Sequence, residues 1–285
     1  MKCPVCGSDK IKDFLKKGDI KTFRCLFCDT VFQDFAAVAD KLSAIYGKEY
    51  YEPWGLENDN LSNSARAVKE KTFEKKLATI MKYKTGGKIL DIGCANGSFL
   101  SVAQKKGFDV HGSDINPHAI KLAKEKFGDS IFEGEIGQFV HNKMVFSVVT
   151  MFDVLEHMSD PVKALAEINS ILEQGGFIVL VTPNWRSFSA KTFRSGWMNF
   201  KLEHIYYFSP KSIQYLLKKA GFEVIFTQPN TKELNLSYIN TQVKAYDNGI
   251  ISKLLPLILS WLPGRLKDIT FPLYTGEIFT IAKKQ

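Results

Sequence analysis

The apolar run Ile89-Leu90-Asp91-Ile92 breaks at once into the small residues Gly93, Ala95 and Gly97, and the next apolar run ends on Asp114. This stretch constrains the fold more than any other in the 285-residue chain. A buried strand that runs into small residues can bend sharply and bring its backbone close to a ligand. In an open parallel sheet, Asp91 and Asp114 both fall in the crevice at the carboxyl edge, where ligands bind. A carboxylate there can hold the hydroxyls of a ribose. The spacing departs from a dinucleotide fingerprint, because Ser98 stands where its third glycine would be. A tight strand-to-helix turn without a ligand is the plainer reading of the loop alone.

Downstream, the pattern alternates. A helix is expected over 63–83, with Phe73, Leu77, Ile80 and Met81 on one face. Helices are expected from Ser98 to Lys106, from Asn116-Pro117 to Gly128, from Asp160-Pro161 to a point before Gly175, and from Ser209-Pro210 to Gly221. Between them lie strands at 108–113, 130–133, 145–152, 177–182 and 222–227, and a last strand at 277–282. Val145 to Phe152 is nearly all apolar, as a central parallel strand should be. This alternation predicts a doubly wound α/β sheet.

Two cysteine pairs precede it, Cys3-Pro-Val-Cys6 and Cys25-Leu-Phe-Cys28. Their separation suits a four-thiolate zinc site. With every corner of the tetrahedron filled by sulfur, such a site is structural rather than catalytic. The stretch between the pairs is too short to build a core, so metal would supply its folding energy. Gly7 follows the first knuckle and Asp29 holds the matching place after the second. The ribbon is rich in lysine, but a zinc tetrathiolate is itself doubly negative. The net charge of +8 is spread over the chain, so nucleic acid is not expected as a partner. Met1-Lys2-Cys3-Pro4 leads straight into a knuckle and reads as no secretory leader. Paired metal-type cysteines fit a reducing cytoplasm.

Asp91-Ile-Gly-Cys-Ala-Asn-Gly97, Asp153-Val-Leu-Glu156-His157 with Pro161, and Thr182-Pro183-Asn184 together resemble class I S-adenosylmethionine-dependent methyltransferases, in the branch of the ubiquinone-biosynthesis O-methyltransferases. The resemblance covers roughly residues 85–228. Ala95 departs from the family's glycine, which is harmless if the backbone there needs no positive φ. The resemblance implies a seven-stranded Rossmann-like sheet whose last strand lies antiparallel. It implies S-adenosylmethionine as cofactor, cradled by Asp91, Gly93, Ala95 and Gly97. Cys94 belongs with that loop, its thiol read as a packing group. Asp114 would bind the ribose, Ile115 would flank the adenine, and Glu135 and Ile136 match the place that meets the adenine ring. Phe152 and Asp153 would close the site near the methyl group.

His157 and His204 are the candidate general bases, since imidazole titrates near neutral pH. Asp153, Glu156 and His157 are also a candidate divalent-cation set, as proposed for some quinone O-methyltransferases. The domain boundaries expected are a zinc ribbon at 1–35, a linker and helix at 36–84, and a methyltransferase domain at 85–285. That domain carries an aromatic lid insertion at 185–208 and a second insertion at 230–275. Within the second, Ile250 to Gly264 is apolar, broken by Pro256 and Pro263, and flanked by basic residues. It is too short to span a bilayer and could rest on a membrane surface. The acceptor expected is a small molecule, or a lipid- or glycan-linked one. An rRNA or tRNA methyltransferase with a zinc ribbon is the alternative.

Overall fold

The computed structural model describes residues 1–18, 20–35, 38, 63–245, 259 and 263–285. The chain opens with the strands β1 (Ile11–Lys17), β2 (Ile20–Cys25) and β3 (Val31–Gln33). Helix α1 (Asn63–Ile80) leads into β4 (Gly87–Ile92). Then follow α2 (Ser98–Lys105), β5 (Phe108–Asp114), α3 (Pro117–Phe127), β6 (Ile131–Glu133), α4 (Gly137–His141) and β7 (Phe146–Phe152). After these come α5 (Pro161–Ile171), β8 (Leu172–Pro183), α6 (Phe188–Phe193), β9 (Tyr206–Tyr207) and α7 (Pro210–Lys219). The chain ends with β10 (Phe222–Leu234), α8 (Leu236–Ala245) and β11 (Phe271–Lys284).

Seven strands form the main sheet in the order β10-β11-β8-β7-β4-β5-β6. Strand β11 runs antiparallel to both of its neighbours, and the other adjacent pairs are parallel. This is the doubly wound Rossmann-like sheet expected from the alternation. The winding reverses between β4 and β7, so a crevice opens at their carboxyl ends.

Helices cover both faces, and residue parity sorts the side chains between them. Leu90, Ile92, Val149 and Met151 pack toward α5 and α7, with Leu165, Ile168, Ile213 and Leu216. Ile89, Val148 and Val179 pack toward α1 and α2, with Leu77, Ile80, Phe99 and Leu100. Buried on two sides, β7 is apolar except at Ser147 and Thr150, whose hydroxyls donate to the Lys88 carbonyl and to Asp91. Three helices start the same way: Asn116, Asp160 and Ser209 each cap a helix through the side-chain oxygen, and a proline follows.

Several elements outrun the sequence reading. Strands β10 and β11 extend to Leu234 and back to Phe271. The polar residues Asn230 and Lys232 find partners across the hairpin, so they need no apolar alternation to remain in a strand. Parts of the stretch 230–275 are therefore sheet, and α8 follows. Apart from Leu259, Pro263 and Gly264, the apolar run from Ile250 lies outside the described residues, as does the aromatic linker at 46–54. Among the described residues, no helix is long and apolar enough to cross a membrane.

The ribbon is stitched to the main domain. Strand β3 pairs antiparallel with β9, setting Val31 against Tyr207 and Phe32 against Tyr206. Trp185, Trp197, Phe200 and Tyr207 pack with Val31 under Phe14, Leu15 and Ile20 of the ribbon. The aromatic segment 185–208 thus has the ribbon on one side, while His204 reaches the crevice on the other.

Asn116 accepts the Ala119 N–H at 2.8 Å. Replacing it with alanine should cost about 1 kcal/mol. For a chain of this size that lowers Tm by roughly 2–4 °C, which calorimetric melting would read.

Candidate active site

The loop after β4 is a run of left-handed turns. Gly93, Ala95 and Gly97 have φ of 74°, 49° and 76°. A Cβ on Gly93 would lie 2.4 Å from Val154, and one on Gly97 2.5 Å from Phe127, so both positions require glycine. Ala95 does sit at positive φ, contrary to the condition under which alanine is harmless. A left-handed alanine costs roughly 1–2 kcal/mol. The turn aims the Ala95 N–H at Asp114, whose Oδ2 accepts it at 2.9 Å. Asp114 Oδ1 accepts the Asn116 N–H at 2.9 Å. The N–H groups of Gly93 and Cys94 donate to the Ser113 carbonyl at 2.7 and 2.9 Å. Cys94 is buried against Gly112, and burial raises its thiol pKa. It is a packing group.

Asp91 is buried and accepts the Thr150 hydroxyl at 2.6 Å. Burial pushes its pKa up to about 7, against the pull of that hydrogen bond. Burial also raises the pKa of Asp114, which its backbone donors oppose. Ile115 is exposed at the mouth of the crevice, and Ile136 is buried beside Glu135 on the same wall. Phe152 meets Phe99 edge-on at 5.0 Å and stacks on Phe73 at 6.3 Å.

Asp153 has turned to the far wall. Lys232 donates to its Oδ2 at 3.1 Å and to Glu277 at 2.7 Å, and Asn230 donates to Glu277 at 2.7 Å. Burial works against the Lys232 ammonium, but the two carboxylates hold its pKa above the ordinary value.

The structure brings His157 and His204 together, their rings edge-to-face at 4.8 Å. His157 Nδ1 lies 2.9 Å from the Glu203 carbonyl. A carbonyl can only accept, so Nδ1 carries the proton and Nε2 carries the lone pair. Burial lowers the pKa of both imidazoles, that of His204 further. Glu156 is buried, and neither carboxyl oxygen has a partner among the described residues. Burial, then the Asp153 charge, raise its pKa well above the usual range. One atom each from Glu156, His157 and His204 lies within 4.8 Å of the others. The cation set read from sequence is therefore assembled differently, with His204 in place of Asp153.

Of the site residues expected from sequence, all but Gly97 and the cysteines Cys3, Cys6, Cys25 and Cys28 border one cavity of about 670 Å³, within the 300–1,000 Å³ range of small-molecule sites. The sequence reading passed over Lys76, Lys232 and Glu277. Lys76 is buried in the cavity wall, and its ammonium lies 4.6 Å from the Phe152 ring centre. Burial pushes its pKa down to about 8; Asp153, Glu277 and Asp91 oppose that, and Lys232 adds to it. A lysine interrupting the face of Phe73, Leu77 and Ile80 was a legible signal. Lys232 and Glu277 meet only across strands and left none.

The four ribbon cysteines have no disulfide. Cys3 and Cys28 sulfurs lie 3.6 Å apart, and those of Cys6 and Cys25 3.5 Å apart. The edge of a tetrahedron with Zn–S bonds of about 2.3 Å is roughly 3.8 Å, so the cluster fits a zinc ion closely.

A family model described as a methyltransferase domain matches residues 65–226. The mitochondrial ubiquinone biosynthesis O-methyltransferase of Schizosaccharomyces pombe is 32% identical over 106 residues, which are 34% of this chain and 38% of that protein. The ubiquinone biosynthesis O-methyltransferase of Cereibacter sphaeroides (strain ATCC 17029) is 24% identical over 196 residues, 60% of this chain and 79% of that one. The chain thus spans well under half of the yeast relative and most of the bacterial one. The crystal structure of magnesium protoporphyrin IX methyltransferase from Synechocystis PCC 6803 with bound SAH superposes with a TM-score of 0.56 at 14% identity, covering 87% of this chain and 100% of that one. At that identity the likeness is one of fold.

Lys76 gives a pH-dependent prediction. Its charge is penalised in the folded state below about pH 8, and the penalty fades as pH rises toward the ordinary 10.5. The variant Lys76→Met should be the more stable protein at pH 7, by about 3 kcal/mol at most, with the gap closing toward pH 10. Urea unfolding at the two pH values measures this. An equal gap at both would mean that the ammonium is already compensated.

Proposed function

The chain belongs to the methyltransferase domain family over residues 65–226, and on that premise we propose that it transfers a methyl group from S-adenosylmethionine to an oxygen or carbon of a small-molecule acceptor, free or linked to a lipid or glycan. One observation carries the reading. The left-handed loop 93–97 closes onto an Asp114 carboxylate already held by two backbone N–H groups, at the mouth of a cavity of ligand size. Each Asp114 oxygen keeps a lone pair for a ribose hydroxyl.

Gly93, Cys94, Ala95 and Gly97 line the path of the methionine end, with Asp91 below them. Lys76 supplies a buried cation for the cofactor's carboxylate. Ile115, Glu135 and Ile136 flank the adenine, and Phe152 and Asp153 border the methyl. When bound, the cofactor supplies an electrophilic methyl carbon on a sulfonium. His157 Nε2, its tautomer set by the Glu203 carbonyl, takes the proton from an acceptor hydroxyl. His204 shapes the acceptor pocket beside it. Burial keeps both rings neutral and ready to accept a proton. The ribbon holds zinc on Cys3, Cys6, Cys25 and Cys28 as a structural ion, in a compartment reducing enough to keep the thiols free. The apolar run at 250–264 is proposed as a peripheral membrane contact for a lipid-linked acceptor.

Calorimetry with S-adenosylmethionine tests the cofactor site. Asp114→Ala should weaken binding by roughly 1.5–3 kcal/mol, the scale of a hydrogen bond to a charged group. An unchanged affinity would show that the ribose lies elsewhere. Labelled-methyl transfer into cell extract divided into RNA, lipid and soluble pools tests the acceptor. Label in the RNA pool alone would replace this reading with an RNA methyltransferase. With an acceptor in hand, His157→Ala should slow transfer by about 10²–10⁴-fold at unchanged cofactor affinity. The wild-type rate should hold level through neutral pH and fall only below pH 6.5, because burial places the imidazole pKa under that value.

A further inference from the structure

The ribbon grips the segment that carries His204 at the level of its backbone. Gln33, at the end of β3, is buried. Its Nε2 donates to the carbonyls of Lys201, Leu202 and His204 at 3.3, 3.0 and 2.8 Å. Its backbone N–H donates to the Ile205 carbonyl at 2.8 Å. Residues 201–205 lie outside regular secondary structure, so their carbonyls need partners from elsewhere. Tyr207 adds one more, its hydroxyl donating to Lys201 at 2.9 Å.

A second grip is ionic. Asp29 is 2% exposed. Its carboxylate accepts from Arg24 at 2.8 Å, from Arg186 at 2.6 and 2.9 Å, and from the Ser209 hydroxyl at 2.7 Å. The Asp29 carbonyl accepts the Trp185 indole N–H at 3.0 Å. Both guanidinium groups lie over the Trp185 ring. Asp29 directly follows the metal-site Cys28, so the metal knuckle and this clamp are consecutive in the chain. Among the described residues, no ribbon hydrogen bond runs to β4, β5 or the loop 93–97; those to the rest of the chain end on Trp185, Arg186, 201–209 and Lys219.

We propose that Gln33 and Asp29 are positioning residues that make the metal-holding ribbon part of the acceptor wall: they fix the backbone under His204, and through the His157–His204 ring contact they fix the imidazole pair. The cofactor half of the site is independent of them. Metal loading of the ribbon therefore governs the acceptor side alone. The inference rests on the assignment of His157 and His204 to the acceptor side.

The test uses the full-length protein and needs no acceptor. The ring nitrogens of its five histidines are followed by ¹⁵N NMR at neutral pH, alongside zinc content, S-adenosylhomocysteine affinity and amide exchange. Gln33→Met removes the donor at similar volume. It should shift or broaden the His157 and His204 signals and speed exchange at 204–208 by about tenfold or more. S-adenosylhomocysteine should still bind within about threefold of wild type, and zinc should be retained. Asp29→Asn, which keeps the shape and removes the charge, should act in the same direction. Wild type stripped with a chelator while S-adenosylhomocysteine is bound should reproduce the histidine changes, and this arm decides if Gln33→Met does not fold. Unmoved His157 and His204 signals in the variants and after chelation would overturn the proposal. So would a parallel loss of S-adenosylhomocysteine affinity, which would make the ribbon a general stabiliser. Failure of wild type to bind S-adenosylhomocysteine at all would strike the proposed activity instead.

Discussion

Asp114 does two jobs with one carboxylate. It closes the loop after β4 by accepting the Ala95 N–H, and it orders the start of α3 by accepting the Asn116 N–H. Ser113, next to it, holds Gly93 and Cys94 through its carbonyl. The ends of β4 and β5 are thereby locked together, beside the β4–β7 boundary where the sheet reverses its winding. A buried carboxylate is costly to keep charged, and here backbone donors on two sides offset part of that cost. The strain at Ala95 belongs to the same arrangement. Its positive φ is what turns that N–H toward the carboxylate, so the loop stores roughly a kilocalorie per mole or two in return for a preformed cradle.

The rest of the cavity follows a rule about charge. The buried ionisable groups in its walls are either paired or shifted toward neutrality. Lys232 is charged because Asp153 and Glu277 face it. Glu156 has no such partner, and burial favours its neutral form. The two imidazoles are likewise pushed toward neutrality. A cationic methyl donor discharges as it reacts, so a site that neither repels the sulfonium nor over-stabilises it serves transfer better than one of strong net charge.

Much of this was legible in the sequence because it is local. The apolar run of β7, the Asn116-Pro117 and Asp160-Pro161 starts, the glycine loop and the C-x-x-C pairs each carry their physics within a few residues. What was not legible is what the chain makes by returning on itself. The pairing of β3 with β9 joins residues about 175 apart in sequence, and two tyrosines in a row give no strand signal. The polar ends of β10 and β11 read as insertion because their side chains are satisfied across the hairpin, by Lys232 with Glu277, rather than by an apolar face. Asp153 illustrates the limit of a motif. Its place beside Glu156 and His157 in sequence suggested a shared ligand set, yet its φ of 58° and the neighbouring Lys232 turn it away, and His204 arrives from a distant segment.

The two knuckles of the ribbon show how a local rule yields to a distant contact. Gly7 and Asp29 occupy matching places after the first and second cysteine pairs, with φ of 76° and 67°. Glycine adopts that conformation freely, and an aspartate does so at a cost. A glycine at 29 would suit the turn of the cysteine knuckle equally well. It would leave Arg24 and Arg186 without their carboxylate and Ser209 without its acceptor. The strained residue is thus explained by docking rather than by metal binding, and the second knuckle is shaped as much by the domain beneath it as by the ion it would hold.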